Sequence, residues 1–238
     1  MNRHHVEAVI FDMDGVLVDT EPLYFQIEKD SFRHFGIDVD ESEHHGYVGV
    51  TLENMWQQII HRHGLATPLE EVLLHHKSNV VQFITAYADL QPIVQVESWI
   101  QWLQERDIPI TVASSSSIRL IDIILNKAGL KPYFPNAISG EQVMQGKPAP
   151  DIFLHAAAEL GIAPSRCLVI EDSHHGVKAA KAAGMLCIGY QNPGSGLQDL
   201  SEADFRIRSY EEMRDVTRHF SWKVGRQACS EKMIFTNK

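Results

Sequence analysis

The amino-acid sequence predicts an α/β protein with a doubly wound, parallel, Rossmann-like sheet as its core and an inserted all-helical cap domain. Short, continuous apolar runs recur along the chain, as is typical of strands that are buried on both faces of a parallel sheet. Amphipathic helical patterns separate most of these runs, and this alternation is typical of doubly wound folds. The stretch after the first run differs, because it shows only helical patterns over about 70 residues, too many for an ordinary crossover.

Five apolar runs are the predicted strands of the sheet. They are AVIF (8–11), IPITVAS (108–114), NAIS (136–139), CLVIED (167–172) and MLCIGY (185–190). Helical patterns lie between the later runs, and three of them stop at Gly129, Gly161 and Gly184, as a helix C-terminus favours.

The helical stretch predicts the division of the chain into domains. Residues 16–90 are the predicted helical cap, and residues 1–15 and 91–220 the predicted α/β core. Both joints of the cap, residues 15–21 and 89–94, are expected beside the end of the first strand, so that the cap acts as a lid over that end. Residues 221–238 are a C-terminal extension for which the sequence predicts no structure.

Composition and charge limit the class of protein. The chain has 238 residues and a formal net charge of −10, which argues against non-specific binding to nucleic acid. The charge favours a small-molecule partner or serves solubility alone. It shows neither an apolar run long enough to span a bilayer nor a signal peptide. Cys167 and Cys187 lie in apolar runs and Cys229 near the end, without a CxxC pair, which predicts reduced thiols. We therefore expect a cytoplasmic monomer or weak homodimer that binds neither nucleic acid nor membranes.

Polar side chains follow several predicted strands, at the edge where ligands bind in open α/β sheets. Each group alone is weak evidence, because serines and acidic residues after strands often cap helices, and a lone lysine is usually solvated. Together, acidic groups, hydroxyls and a lysine at one edge predict a compact site for Mg²⁺ and a phosphoryl group. The side chains are Asp12 and Asp14, Ser114 and Ser115, Glu171 and Asp172, and Lys147.

The pair Asp12 and Asp14 suggests covalent catalysis. Residues i and i+2 of an extended chain project to the same side, so both carboxylates can address one ligand, and Gly15 allows a sharp turn after them. One aspartate can attack phosphorus and form an aspartyl-phosphate. The other can protonate the leaving oxygen and then activate water.

The sequence resembles the haloacid dehalogenase superfamily, in the branch with a helical cap after the first strand. Four segments carry the resemblance: DMDGV (12–16), Ser114 in TVASSSS, Lys147 in GKPAPDIF, and Glu171-Asp172-Ser173 in VIEDSHHG. The resemblance implies Asp12 as nucleophile, Asp14 as general acid and base, and Ser114 and Lys147 as phosphate ligands. It implies Mg²⁺ held by Asp12, the Asp14 backbone carbonyl and Asp172, with Glu171 as a further or indirect partner. We expect the neighbouring Ser115 to be a phosphate ligand as well.

Within the superfamily, the segments DMDGVLVDTE, GKPAPDIF and EDSHHG resemble β-phosphoglucomutase and its phosphatase relatives. Where the mutase carries a lysine and an arginine in its cap, this chain has Val48 and Leu52. It has Tyr24 in place of a histidine of the mutase, and Ser117 in place of the lysine that follows the mutase's serine motif. A mutase must hold two phosphates, so the loss of these groups argues against mutase activity.

The predicted function is therefore a Mg²⁺-dependent phosphatase that hydrolyses a small phosphomonoester, for example a sugar phosphate, through an aspartyl-phosphate. Two alternatives remain open: a phosphomutase of the β-phosphoglucomutase type, and a non-catalytic sensor of a phosphorylated metabolite. The presence of all the catalytic residue types favours the enzyme over the sensor.

Overall fold

A parallel sheet of six strands forms the centre of the computed structural model, which describes residues 3–45, 47 and 51–222. The described strands are β1 (His4–Val6), β2 (Ala8–Phe11), β3 (Ile110–Ser114), β4 (Ala137–Ser139), β5 (Cys167–Glu171), β6 (Leu186–Tyr190), β7 (Phe205–Ile207) and β8 (Phe220–Trp222). The described helices are α1 (Glu21–His34), α2 (Glu41–His45), α3 (Leu52–His63), α4 (Leu69–Ala86), α5 (Val96–Gln104), α6 (Ile118–Lys127), α7 (Asp151–Leu160), α8 (His174–Ala182) and α9 (Met213–Val216).

The sheet has the strand order β4-β3-β2-β5-β6-β7, and all of its neighbouring strands are parallel. This confirms the predicted α/β class with a parallel sheet. The five predicted strands are present as β2 to β6, with four of them one or two residues shorter than the apolar runs. The sequence did not predict the three-residue strands β1, β7 and β8 or the short helix α2.

Alternate residues of the central strand face opposite layers of the core. Val9 and Phe11 belong to one hydrophobic cluster, whereas Ala8 and Ile10 belong to another on the other face of the sheet. Helices α5 and α6 cover the first face and α7 and α8 the second. Within the part of the chain that the structure describes, no helix has the length and apolar character needed to cross a membrane.

The C-terminal end of the described chain returns to its beginning. Strand β8 pairs with β1 in a separate parallel two-stranded sheet, in which His4 is opposite Phe220 and Val6 opposite Trp222. The predicted boundary at residue 221 therefore falls inside a strand. The rest of the predicted extension, residues 223–238 with Cys229, lies outside the described residues.

Helices α1 to α4 follow β2 directly, in the stretch for which the sequence shows only helical patterns. Their boundaries follow local signals: the Thr51 hydroxyl accepts a hydrogen bond from the Asn54 amide at the start of α3, and Gly64 ends this helix in a left-handed conformation. The helices enclose a hydrophobic cluster of their own that includes Phe32, Trp56 and Val72. The domain limits at residues 15 and 90 stay a prediction.

The chain segments before α1 and after α4 lie side by side next to the end of β2. The Ile93 amide donates to the Leu17 carbonyl at 2.8 Å, and Val18 and Pro92 form an isolated β-bridge. Entry into and exit from the helical stretch are thus joined within a few residues of Asp12 and Asp14.

Candidate active site

The end of strand β2 is the topological switch point of the sheet. Strand β2 pairs with β3 on one side and with β5 on the other, and both neighbours run in the same direction. The residues that follow Phe11 and Ile170 therefore meet at one edge, where a crevice opens in folds of this kind. The Asp12 amide donates to the Ile170 carbonyl at 3.0 Å and so fixes Asp12 against β5.

Lys147 joins the carboxylates of Asp12 and Glu171 at this edge. Its Nζ lies 2.5 Å from Asp12 Oδ1 and 2.6 Å from Glu171 Oε1, and it also donates to the Ala113 carbonyl at 3.3 Å. The three side chains are 7%, 9% and 1% exposed, respectively, so these ion pairs are shielded from water. We call Asp12, Lys147 and Glu171 the sheet-edge cluster.

The sheet-edge cluster holds two carboxylates and one ammonium group, which leaves a negative charge without compensation. Burial raises the pKa of Asp12, and although Lys147 lowers it in part, Glu171 and Asp14 raise it further. Burial lowers the pKa of Lys147, but the adjacent Asp12 and Glu171 more than offset this effect, so that its pKa lies above the ordinary value. The lysine is therefore a permanent cation at this site.

Glu171 is fixed on both of its carboxylate oxygens. Oε1 accepts from Lys147, and Oε2 accepts from the Ser173 amide at 2.9 Å and the Ser173 hydroxyl at 3.0 Å. A Cβ at Gly176, in the first turn of α8, would overlap this carboxylate. The glycine of the EDSHHG segment thus makes room for Glu171.

Asp14 accepts hydrogen bonds from four hydroxyl groups. Thr20 Oγ1 (2.6 Å) and Tyr24 Oη (3.3 Å) donate to its Oδ1, whereas Ser114 Oγ (3.3 Å) and Ser116 Oγ (3.1 Å) donate to its Oδ2. Two of these donors come from the serine run that begins at the last residue of β3, and two lie at the beginning of the helical stretch. The Asp14 carboxylate therefore connects the sheet to α1.

Another acidic side chain, that of Glu21 in α1, lies close to the Asp14 carboxylate. Burial raises the pKa of Glu21, the first residue of α1, to about 7, and the nearby carboxylates of Asp14 and Glu28 add to the shift. Glu21 thus adds an acidic group close to Asp14.

Asp172 follows β5 and is 5% exposed. Its Oδ2 accepts a short hydrogen bond from the buried Ser195 hydroxyl. Gly15, at a φ of +74°, lies against this pair, and a Cβ there would overlap Asp172 Oδ2. Burial raises the pKa of Asp172, and Glu171 and Asp12 raise it further.

The structure thus brings six of the predicted site residues together at this edge of the sheet. Asp12, Lys147 and Glu171 are in direct contact, Asp14 is bonded to Ser114, and Asp172 lies against Gly15. Ser115 is exposed, and its side chain takes part in none of the described hydrogen bonds. Val48 lies outside the described residues, and Leu52 is the first residue of α3.

Several residues of this site were not predicted. Thr20, Tyr24 and Ser116 bond to Asp14, Ser173 bonds to Glu171, and Ser195 bonds to Asp172. Two of them had a usable signal in the sequence: Ser116 lies in the serine run, and Ser173 directly precedes a helical pattern. The segment around Ser195 has no pattern that points to a site.

The donor set fits a divalent cation of the magnesium type. Among the described residues no group of three or more His, Cys, Asp or Glu side chains is arranged to hold a metal ion. Mg²⁺ needs fewer, since it is usually held by one or two carboxylates, substrate phosphate and water. The described hydrogen bonds of Asp12 and Asp172 leave one oxygen of each without a partner, Oδ2 and Oδ1 respectively, and the cluster carries excess negative charge.

Two cavities of the described chain lie apart from these residues. One of about 260 Å³ is lined by His4, Ser165 and Lys181 among others, and one of about 410 Å³ is lined by Tyr47, His61 and Arg62 among others. Neither is lined by a residue of the predicted site, where Lys147 fills the space between Asp12 and Glu171.

Comparison with known proteins agrees with this geometry. The family model of the haloacid dehalogenase-like hydrolases matches residues 9–190. The chain belongs to this family. The match extends from strand β2 through β6 and contains every predicted site residue.

Relatives of this chain include phosphatases and a mutase. It is 31% identical over 178 residues to the fructose-1-phosphate phosphatase YqaB of Escherichia coli (strain K12), covering 75% of this chain and 93% of that protein. It is 30% identical over 226 residues to the β-phosphoglucomutase of Bacillus subtilis (strain 168), covering 93% and 97%. A crystal structure of a haloacid dehalogenase hydrolase of family IA, variant 3, from Entamoeba histolytica superposes with a TM-score of 0.77 at 25% identity, covering 90% and 100%. These similarities confirm the predicted β-phosphoglucomutase-like branch.

Proposed function

We propose that this protein is a Mg²⁺-dependent phosphatase that hydrolyses a small sugar phosphate through an aspartyl-phosphate on Asp12. The observation that carries the proposal is the contact of Asp12 with Lys147 at the switch point of the sheet, beside Asp14 and Asp172. The enzyme class is confirmed: family membership and the phosphatase relatives identify a phosphoric monoester hydrolase of the haloacid dehalogenase superfamily. A sugar phosphate is proposed because relatives are named as fructose-1-phosphate and carbohydrate phosphatases.

Asp12 is the proposed nucleophile. Lys147 binds Asp12 Oδ1, so the lysine orients the carboxylate that attacks phosphorus and offsets its charge. The phosphoryl group passes to Asp12 as the bond between phosphorus and the leaving oxygen breaks. Ser114 and Lys147, with Ser115 at the edge of the site, are the proposed ligands of the phosphoryl oxygens.

Asp14 is the proposed general acid and base. It gives a proton to the leaving oxygen in the first step, and in the second step it takes a proton from the water that attacks the aspartyl-phosphate. The second step releases inorganic phosphate and restores the Asp12 carboxylate. The hydroxyls of Thr20 and Tyr24 hold the Asp14 carboxylate toward α1 in this structure, so the acid and base group is connected to the proposed cap.

Asp12, the backbone carbonyl of Asp14 and Asp172 are the proposed holders of Mg²⁺, and Glu171, whose two oxygens are already bonded, is proposed to hold Lys147. When bound, Mg²⁺ offsets the charge of the carboxylates and of the phosphoryl oxygens. Without such compensation, a phosphomonoester dianion would meet a site in which carboxylates outnumber the lysine.

A β-phosphoglucomutase is the second candidate, because the relative of that name matches nearly the whole of both chains. The structure gives one argument for the hydrolase. Ser117, which stands in place of the mutase's lysine, is the N-cap of α6 and accepts from the Leu120 amide at 3.3 Å.

The test is phosphate release from a panel of hexose, hexitol and pentose phosphates, with a coupled assay for interconversion of β-glucose 1-phosphate and glucose 6-phosphate. We expect net phosphate release that EDTA stops and Mg²⁺ restores, with Asp172→Ala requiring at least about tenfold more Mg²⁺. Asp215→Ala is the matched control, because this aspartate is 75% exposed and pairs only with Arg218 among the described salt bridges. Full activity in EDTA would exclude the metal, and rapid interconversion with negligible free phosphate would favour the mutase.

The small phosphorylated metabolite as partner follows from the same relatives. The cytoplasmic location, the monomer or weak homodimer, and the absence of nucleic-acid and membrane binding stay predictions from the sequence.

A further inference from the structure

A loop outside the four family segments reaches into the candidate active site. It follows β6 and runs from Asn192 to Gln198, with residues 193–195 in a short 3₁₀ turn. Its Ser195 hydroxyl donates to Oδ2 of Asp172, and both side chains are 5% exposed. A hydroxyl buried to this degree needs a hydrogen-bond partner within the protein, and Asp172 is that partner.

The space around this contact is closed on the side of Gly15. A Cβ at Gly15 would overlap the Asp172 carboxylate and lie 2.9 Å from Ser195 Oγ. The Asp172 carboxylate therefore contacts both the turn that follows Asp12 and the Ser195 hydroxyl. Its rotation is limited by the Gly15 backbone and by the hydrogen bond from Ser195.

Hydrogen bonds from both ends of the loop hold Ser195 in place. Asn192 Oδ1 accepts from the Gly194 amide at 2.9 Å, and Asn192 Nδ2 donates to Asp19 Oδ1 at 3.3 Å. On the other side, Gln198 Nε2 donates to the Ser195 carbonyl at 3.1 Å, while Gln198 Oε1 accepts from the His174 amide at 3.1 Å. The loop is thus tied to the segment before α1 and to the start of α8.

We propose that Ser195 is a positioning residue for Asp172, which by occupying Oδ2 directs the free Oδ1 to the cation. The inference rests on the proposed function, because it needs Asp172 to bind Mg²⁺. Residues that orient a metal ligand through a hydrogen bond typically change metal affinity by about 10- to 100-fold when the bond is removed. Ser195 itself binds no metal in this proposal, and acts only by fixing the carboxylate.

The experiment measures Mg²⁺ binding to the full-length protein by isothermal titration calorimetry, without substrate. We expect Ser195→Ala to weaken binding by about 10-fold or more, and Ser195→Thr, which keeps the hydroxyl, to stay within about threefold of wild type. Ser31→Ala is the matched control, because Ser31 is also a buried, hydrogen-bonded serine but lies in α1, away from Asp172. The Mg²⁺ concentration for half-maximal activity should move with the affinity, while kcat at saturating Mg²⁺ changes little.

Each result decides the inference. Wild-type affinity in Ser195→Ala would overturn it and leave the proposed function intact. An equal loss in Ser195→Ala and Ser195→Thr would overturn it in favour of loop packing. If the wild-type protein binds no Mg²⁺ without substrate, the Mg²⁺ concentration for half-maximal activity decides the inference in the same way, and full activity in EDTA would overturn both proposals. If circular dichroism shows Ser195→Ala to be unfolded, Ser195→Cys replaces it, since a thiol is of similar shape but a weak donor.

Discussion

Two buried polar clusters of this molecule differ in charge. The sheet-edge cluster of Asp12, Lys147 and Glu171 is ionic, with two carboxylates on one ammonium group. The other lies between α1 and α4, where Ser31, His76 and Asn79 are joined by neutral hydrogen bonds: Ser31 Oγ lies 3.1 Å from His76 Nδ1 and accepts from Asn79 Nδ2 at 3.1 Å. We call these three residues the cap cluster.

The difference indicates what each cluster is for. A buried ion pair rarely adds net stability, because desolvation of the charges offsets their attraction, and the excess carboxylate makes the balance worse. The sheet-edge cluster therefore has to be explained by chemistry. The cap cluster carries no such excess, and its hydrogen bonds join two helices that also share apolar contacts, as expected of a structural cluster.

The largest effect should come from removing the proposed nucleophile. Asp12→Asn is expected to lower kcat by at least about a thousandfold, because an amide cannot form the aspartyl-phosphate. The free energy of unfolding should stay the same or rise, since Lys147 is then matched by Glu171 alone. Steady-state phosphate release and urea unfolding measure the two quantities, with Asp215→Asn as the exposed control. Wild-type kcat in the folded variant would show that Asp12 does not carry the covalent step.

The sequence predicted the sheet-edge cluster because its residues are tied to strand ends. Asp12 directly follows β2 and Glu171 is the last residue of β5, so a parallel sheet brings them together once the strands are recognised. Lys147 was predicted from its loop between two such strands. Of the hydroxyls around Asp14 only Ser114 was predicted, although the serine run also contains Ser116, and Thr20 was missed since the segment before α1 has no periodic signal.

The cap cluster and the second sheet could not be predicted in this way. Ser31 and His76 are 45 residues apart, and their contact depends on how α1 packs against α4, which helical periodicity alone does not specify. Strands β1 and β8 have three residues each and lie at opposite ends of the described chain, too short for an apolar pattern to reveal.

Removal of the central cation tests the ionic character of the sheet-edge cluster. Lys147→Met leaves Asp12 and Glu171 facing each other without a cation, and the loss of one partner from a buried ion pair costs about 3 to 5 kcal/mol. The variant should raise the pKa of Asp12 further, because Lys147 lowers it in the wild type. A carboxyl whose pKa is higher in the folded state than in the unfolded chain stabilises the fold at low pH and loses this effect as the pH rises.

The expected outcome is that Lys147→Met is more strongly destabilised at pH 8 than at pH 5, measured by urea unfolding in EDTA. Lys77→Met, a change at an exposed lysine of α4, is the control. A loss of stability that is the same at both pH values would show that packing of the lysine stem, rather than its charge, holds the cluster together.

The cap cluster should respond to pH with the opposite sign. His76 is 2% exposed, and burial lowers its pKa to about 4, with a further lowering by the adjacent His75. In the unfolded chain a histidine has a pKa of about 6.5. Between pH 6.5 and 4, His76 therefore binds a proton in the unfolded chain but not in the folded protein. The free energy of unfolding falls through this window by about 3 kcal/mol, at 1.36 kcal/mol for each unit of difference in pKa.

His76→Gln keeps a polar partner for Ser31 but cannot titrate, so its stability should decline less on acidification. His61→Gln, at an exposed position, should follow the wild type. Urea unfolding at pH 7.5, 5.5 and 4.5 measures the difference between variants, which cancels the carboxyl groups common to all of them. Equal slopes in the wild type and His76→Gln would mean that the imidazole gains water before α1 and α4 unfold, and the contrast between a neutral and an ionic cluster would then not extend to their response to acid.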